Sequence, residues 1–181
     1  MTDSSLKNLL YISLTLIGSC GGGGGGPKSY TVTATAGTGG SISPTTATVT
    51  EGLTASVSVS VNEGYEIADV SGCGGTLNGN TFTTGPISAP CSVNAAFRLK
   101  KYAVSVATSE GGSISPGNVT VDHGATTVFT VTPASGFSLT GVTGCGGTLS
   151  GTKYTTGAIT GACTVQPTFA ANVELSFSIN S

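Results

Sequence analysis

The sequence predicts an all-β protein built as two tandem small antiparallel modules, each held by one disulfide. Three observations predict it. The body of the chain repeats at a fixed offset of 72 residues, apolar and polar side chains alternate with period two inside each copy, and no window carries a helical stripe. Composition points the same way. Gly, Thr and Ser make up close to half of the 181 residues, Trp is absent, and 8% of residues are charged, against roughly 25% in an ordinary domain. A 38% hydrophobic share with a mean hydropathy of +0.27 is too apolar for a solvated coil. Six Lys plus Arg are scattered over a chain of net charge −2, so there is no basic stripe to release counterions from a phosphate backbone. No nucleic-acid partner is expected.

The first element is residues 1–19. A polar start, Met1 to Lys7, precedes an apolar run from Leu9 to Ile17, which is too short for a membrane-spanning helix of roughly 20 residues and reads as a targeting peptide. The Ile17-Gly18-Ser19-Cys20 sequence that ends it resembles the lipobox of bacterial lipoprotein signals. That resemblance implies cleavage before Cys20, a lipid on Cys20, and a membrane partner reached through that lipid. Gly21, standing where Asp would retain a lipoprotein in the inner membrane, implies an outer-membrane lipoprotein that is periplasmic or surface-exposed. Residues 20–27 are then the anchor and its tether. Gly21 to Gly26 has no side chain to bury, and with Pro27 it spans about 14 Å root-mean-square.

Residues 28–99 and 100–170 are the two repeat units. Tyr30 aligns with Tyr102, the Gly-Gly-Ser-Ile-Ser-Pro of 39–44 with that of 111–116, Cys73 with Cys145, Cys91 with Cys163, and Phe97 with Phe169. From Tyr30 to Phe97, 29 of 68 ungapped pairs are identical, which fixes the register. Arg98-Leu99-Lys100-Lys101 forms the joint. Tyr30, Val32 and Ala34 alternate with Thr31, Thr33 and Thr35, and Val57, Val59 and Val61 alternate with serines, as half-buried strands require. Turn residues separate the strands at Gly39-Gly40, Glu51-Gly52, Asn62-Glu63-Gly64 and Asn78-Gly79, and at His123-Gly124, Ser135-Gly136 and Ser150-Gly151 in the second copy. Five or six short strands per unit follow.

Modules this small sit near the lower limit for a self-sufficient core, which gives the cysteines a role. Beyond Cys20 there are four, and four allow three connectivities. The repeat selects Cys73 with Cys91 and Cys145 with Cys163, because each unit then carries its own staple. Closing such a loop stabilises a unit by about 3 kcal/mol. One Cys per 18 residues, no Cys-x-x-Cys and a single His give no metal site.

The Gly-Cys-Gly-Gly-Thr-Leu of 72–77 and 144–149, the Thr-Thr-Gly-x-Ile of 83–87 and 155–159, and the closing Cys-x-Val-x-x-x-Phe of 91–97 and 163–169 carry a resemblance. With the Gly-Gly-Ser-Ile-Ser-Pro opening, they resemble the divergent internalin-type B-repeat of bacterial surface proteins. The related internalin repeat is β-grasp-like and includes a helix, so the resemblance widens the expected fold to sandwich-like or β-grasp-like. It implies a cell-surface spacer, adhesion or protein-interaction module. A carbohydrate-binding accessory module is the alternative.

Chemistry-bearing residues are sparse. Asp122 beside His123 is the one acid-base pairing, but its counterpart Thr50-Glu51 precedes a turn glycine, so a solvated hairpin tip is expected. Glu63, Glu66 and Asp69 cluster around Tyr65, whereas the second copy has Ser135, Ser138 and Gly141, and no calcium-loop spacing supports a site. The run from Gly146 to Lys153 misses a phosphate-binding loop by one position and reads as a glycine hairpin. Tyr65 with Phe137, and Phe82 with Tyr154, occupy equal positions in both units and are expected to pack in the core. No nucleophile, base and orienter come together, so neither catalysis nor a cofactor is expected, and the ligand-binding residues stay unassigned. Residues 171–181 form a tail. Within it Val173 to Asn180 alternates as a strand, expected to close an edge of the second unit or to pair with a partner.

Overall fold

A computed structural model describes residues 26–173, all of them in strands, turns and loops. The first unit contains β1 (Ser29–Ala36), β2 (Gly40–Ser43), β3 (Thr46–Thr50), β4 (Ser56–Val61), β5 (Tyr65–Gly72), β6 (Thr76–Asn78), β7 (Thr81–Thr83) and β8 (Cys91–Leu99). The second repeats it with β9 (Lys101–Val106), β10 (Gly112–Ser115), β11 (Val119–Asp122), β12 (Val128–Pro133), β13 (Phe137–Thr143), β14 (Thr148–Ser150), β15 (Lys153–Thr155) and β16 (Cys163–Ala171). Each unit is a pair of four-stranded sheets. Their orders are β3-β1-β8-β5 with β2-β4-β7-β6, and β11-β9-β16-β13 with β10-β12-β15-β14. The core of each unit draws on both of its sheets, so the modules are sandwiches, and the helix-bearing β-grasp alternative falls away.

Two details differ from the sequence expectation. Eight strands per unit replace five or six, because glycine turns and Pro44 cut the runs into pieces of three to nine residues. The pairing is antiparallel except at the centre of the first sheet, where β1 and β8 run parallel from Val32 opposite Cys91 to Ala36 opposite Ala95. First and last strands of a unit therefore lie side by side and point the same way. The chain enters a unit at one end and leaves at the other, which places the next unit beyond it.

The alternation acts as read. Val57 and Val59 are buried while Ser56, Ser58 and Ser60 are exposed, and Val32, Ala34, Val93 and Ala95 face them from the other sheet. Phe82 and Tyr154 occupy the same core position, 0% and 1% exposed. The buried Tyr154 hydroxyl donates to the Gly144 carbonyl and accepts from the Gly147 N–H at 3.1 Å, so its polar tip is satisfied. Tyr154→Phe should cost about 1 kcal/mol by urea unfolding, since the first unit fills the same space with Phe82; an unchanged midpoint would show that the hydroxyl contributes nothing.

Both disulfides form as the repeat selected, Cys73–Cys91 and Cys145–Cys163, with Cα separations of 5.5 and 5.4 Å. Each ties the turn after β5 or β13 to the start of the unit's last strand. The repeated Gly-Cys-Gly-Gly has a steric cause. Gly72 and Gly144 adopt φ of +125° and +103°, and a Cβ on either would overlap the carbonyl of Ser92 or Thr164 on the facing strand. The cysteines that follow also have left-handed φ, 47° and 49°. The targeting peptide of residues 1–19, Cys20 and all but the first residue of the strand expected over Val173 to Asn180 lie outside the described residues; Val173 itself is exposed and in no strand.

Candidate functional site

Two places distinguish themselves from generic repeat surface: the joint between the units and a cleft in the second unit. At the joint, Lys100 is shared. Its N–H donates to the Gly64 carbonyl of the first unit at 2.8 Å, and its carbonyl accepts from the His123 N–H of the second, also at 2.8 Å. Each half is a standing feature of the repeat, since the Asn172 N–H donates to the Gly136 carbonyl and the Glu51 N–H to the Lys28 carbonyl in the same way. One residue thus belongs to both modules, with no slack between them.

Side chains close the joint. The His123 imidazole lies directly on Gly64, where a Cβ would overlap it, and its ring centroid is 5.9 Å from that of Tyr102 at a tilt of 53°. Nδ1 of His123 is buried without a hydrogen-bond partner. His123 is therefore not on a solvated hairpin tip, as its first-unit counterpart suggested, but in the contact between units, while the Asp122 side chain stays exposed and pairs with Lys101 of its own unit. The comparison misled because Glu51 sits at the end of the first unit away from the joint, exposed among the described residues and accepting from the Tyr30 hydroxyl at 3.4 Å. Partial burial, and then the neighbouring Glu51 carboxylate, hold the Tyr30 phenol above its ordinary pKa. The exchange of Glu for His between copies was the available signal.

Charges flank the joint without holding it. Arg98 pairs with Glu66 at 2.7 Å and Lys101 with Asp122 at 2.6 Å, all of them well exposed, and such pairs contribute about 0–1 kcal/mol. The expected acidic cluster is dispersed by these contacts. Glu66 is taken by Arg98, and Asp69 accepts from Ser71 at 2.8 Å. Among the described residues no three of His, Cys, Asp and Glu come together. Tyr65 and Phe137 lie over Gly39 and Gly111 at the module ends, Phe137 remaining 37% exposed, so only Phe82 and Tyr154 of the four aromatics are fully in the core.

The cleft arises where the second unit departs from the first. Pro167 stands in place of Ala95, and without an N–H it cannot continue the parallel ladder. The pairing of β9 with β16 stops after three residues, at Val106 opposite Val165, where the first unit has five. Gly37 N–H reaches the Ala95 carbonyl in the first unit, but in the second the last such bond runs from Ala107 N–H to the Val165 carbonyl. Beneath it, the Ala34 N–H to Thr45 carbonyl bond is replaced by one from Val106 N–H to Asn118 Oδ1 at 2.8 Å. The chain from Ala107 leaves the sheet. Between it and β10 opens a cleft of about 400 Å³ lined by Val106, Thr108, Ser109, Ile114, Asn118 and Pro167. Ile114 is half-buried there, whereas its counterpart Ile42 is 5% exposed. Sequence reasoning missed this, although Pro167 against Ala95 was visible in the alignment of the two copies.

No curated protein and no solved structure matches the chain. A family model for the divergent InlB B-repeat domain matches residues 30–101 and again residues 102–173, its two copies meeting one residue after the shared Lys100. The matched segments contain both sandwiches, both disulfides and the joint, and the chain belongs to the divergent InlB B-repeat domain family as a tandem pair.

Proposed function

We propose that the protein is a lipid-anchored outer-membrane spacer and interaction module, carried on Cys20 by its glycine tether and holding two B-repeat sandwiches at a set angle away from the lipid surface. The observation that carries this reading is Lys100. A flexible linker would leave its backbone groups to water, whereas here both are used, one by each unit, and His123 is seated on Gly64. A spacer keeps its reach only if its joints do not fold back. The parallel central pair supports the same reading, because entry and exit at opposite ends let each added unit add length. No catalytic step is assigned to it.

Small-angle scattering of the full chain tests the joint. The native protein should give a narrow distribution of inter-unit distances, while insertion of Gly-Ser between Lys100 and Lys101, or Gly64→Leu, should broaden it. Identical profiles for native and insertion proteins would remove the support for a stiff spacer. The anchor is tested separately in cells: Cys20→Ser should abolish lipid labelling and shift the protein out of the membrane fraction. Retention of that variant in membranes would overturn the anchor.

A further inference from the structure

We propose that the cleft of the second unit binds a neutral saccharide of one or two rings, an activity beyond the spacer reading and independent of it. The chemistry of the lining selects the ligand class. None of the cleft residues is charged, so a phosphate, carboxylate or ammonium would lose its hydration with no counter-charge to meet it. The floor is aliphatic: Val106 and Ile114 are half-buried there and are backed from beneath by the fully buried Pro167. The rim is polar and uncharged. Thr108 presents its hydroxyl, Ser109, whose Oγ donates to the Glu110 carbonyl at 3.4 Å, keeps acceptor lone pairs, and Asn118, whose Oδ1 is held by the Val106 N–H, keeps its amide N–H donors for a ligand. An aliphatic floor under a rim of hydroxyls and one fixed amide matches a sugar ring, which offers C–H groups on one face and hydroxyls around its edge. A volume of about 400 Å³ lies at the small end of the roughly 300–1,000 Å³ typical of ligand sites, which limits the occupant to a short saccharide.

The first unit is an internal control. There Ala95 carries the ladder two pairs further, Ala34 and Ile42 are 5% exposed, and the same place is filled by the protein itself. The second unit has given up two ladder pairs and part of its core cover. Opening a core costs stability, and the replacement of a carbonyl acceptor by the Asn118 side chain keeps the vacated N–H satisfied, so the opening is built rather than frayed.

The test uses the full chain on an array of neutral and charged glycans, followed by titration of the strongest neutral saccharide with amide chemical-shift mapping. The expected result is saturable binding at or below about 1 mM, with shifts confined to residues 106–118 and to Gln166 and Thr168 on either side of Pro167. Ser113→Trp, at the exposed mouth, should weaken binding by at least about tenfold without lowering the melting temperature. The double variant Pro167→Ala with Asn118→Thr, which restores first-unit residues, should weaken it as well. Absence of any neutral hit, shifts mapping elsewhere, preference for charged glycans, or undiminished binding by Ser113→Trp would each overturn the proposal. So would displacement of the saccharide from this cleft by apolar peptides that bind more tightly.

Discussion

Phe82→Ala should destabilise the first unit by about 3–5 kcal/mol while the second unit keeps its native stability. Phe82 is 0% exposed at the centre of the contact between the two sheets of its unit, and truncating a buried Phe costs about 3–5 kcal/mol. A unit of this length is worth roughly 4–11 kcal/mol in total, so at mid-range the loss takes about half of it. The chain lacks Trp, and tyrosines lie in both units, so hydrogen exchange read by residue is the suitable measurement. Protection should fall by a common amount in β1, β4, β7 and β8 and stay at the native level in β9 to β16. Phe82→Tyr is the matched control. The second unit houses a hydroxyl at this site between Gly144 and Gly147, and Gly72 and Gly75 stand at the same places in the first, so this variant should stay within about 1 kcal/mol of native. Full protection of the first unit in Phe82→Ala would mean that the stability of the sandwich rests elsewhere.

The features read from the sequence share one property: they are written in side-chain identity at fixed spacing. Val57 and Val59 between serines state which face is buried, and the offset from Cys73 to Cys145 states that the disulfides lie within units. The direction of β1 relative to β8 is not written that way, because parallel and antiparallel strands alternate identically and only the hydrogen-bond ladder distinguishes them. An all-parallel sheet would show continuous apolar runs, but one parallel pair inside a sandwich leaves no such mark. The joint was invisible for a different reason. His123 was compared with Glu51, and the partner that gives it meaning is Gly64 of the other unit, 59 positions away and unremarkable as a turn glycine. The cleft depends on a missing N–H at Pro167 and on where the displaced chain then goes, which follows from packing rather than pattern.

Loss of the second disulfide, by Cys145→Ala with Cys163→Ala, should lower the stability of the second unit by about 2–5 kcal/mol and that of the first far less. The 18-residue separation sets the cross-link term, because the oxidised unfolded chain is confined to a loop that the variant releases. A second contribution comes from the backbone. Cys145 sits at φ of 49°, and without the bond a non-glycine residue in that conformation has nothing to offset a cost of about 1–2 kcal/mol. The two terms separate by experiment. Cys145→Gly with Cys163→Ala removes the cross-link but relieves the backbone, so it should be more stable than the double alanine variant, less the smaller entropic cost of the glycine in the unfolded chain. Equal stability of the two variants would show that the left-handed turn carries no strain, and a double alanine variant as stable as the native protein would show that the sheets alone hold the unit. Because Lys100 is bonded to both units, a small destabilisation should also reach the first, and its size measures how strongly the joint couples them.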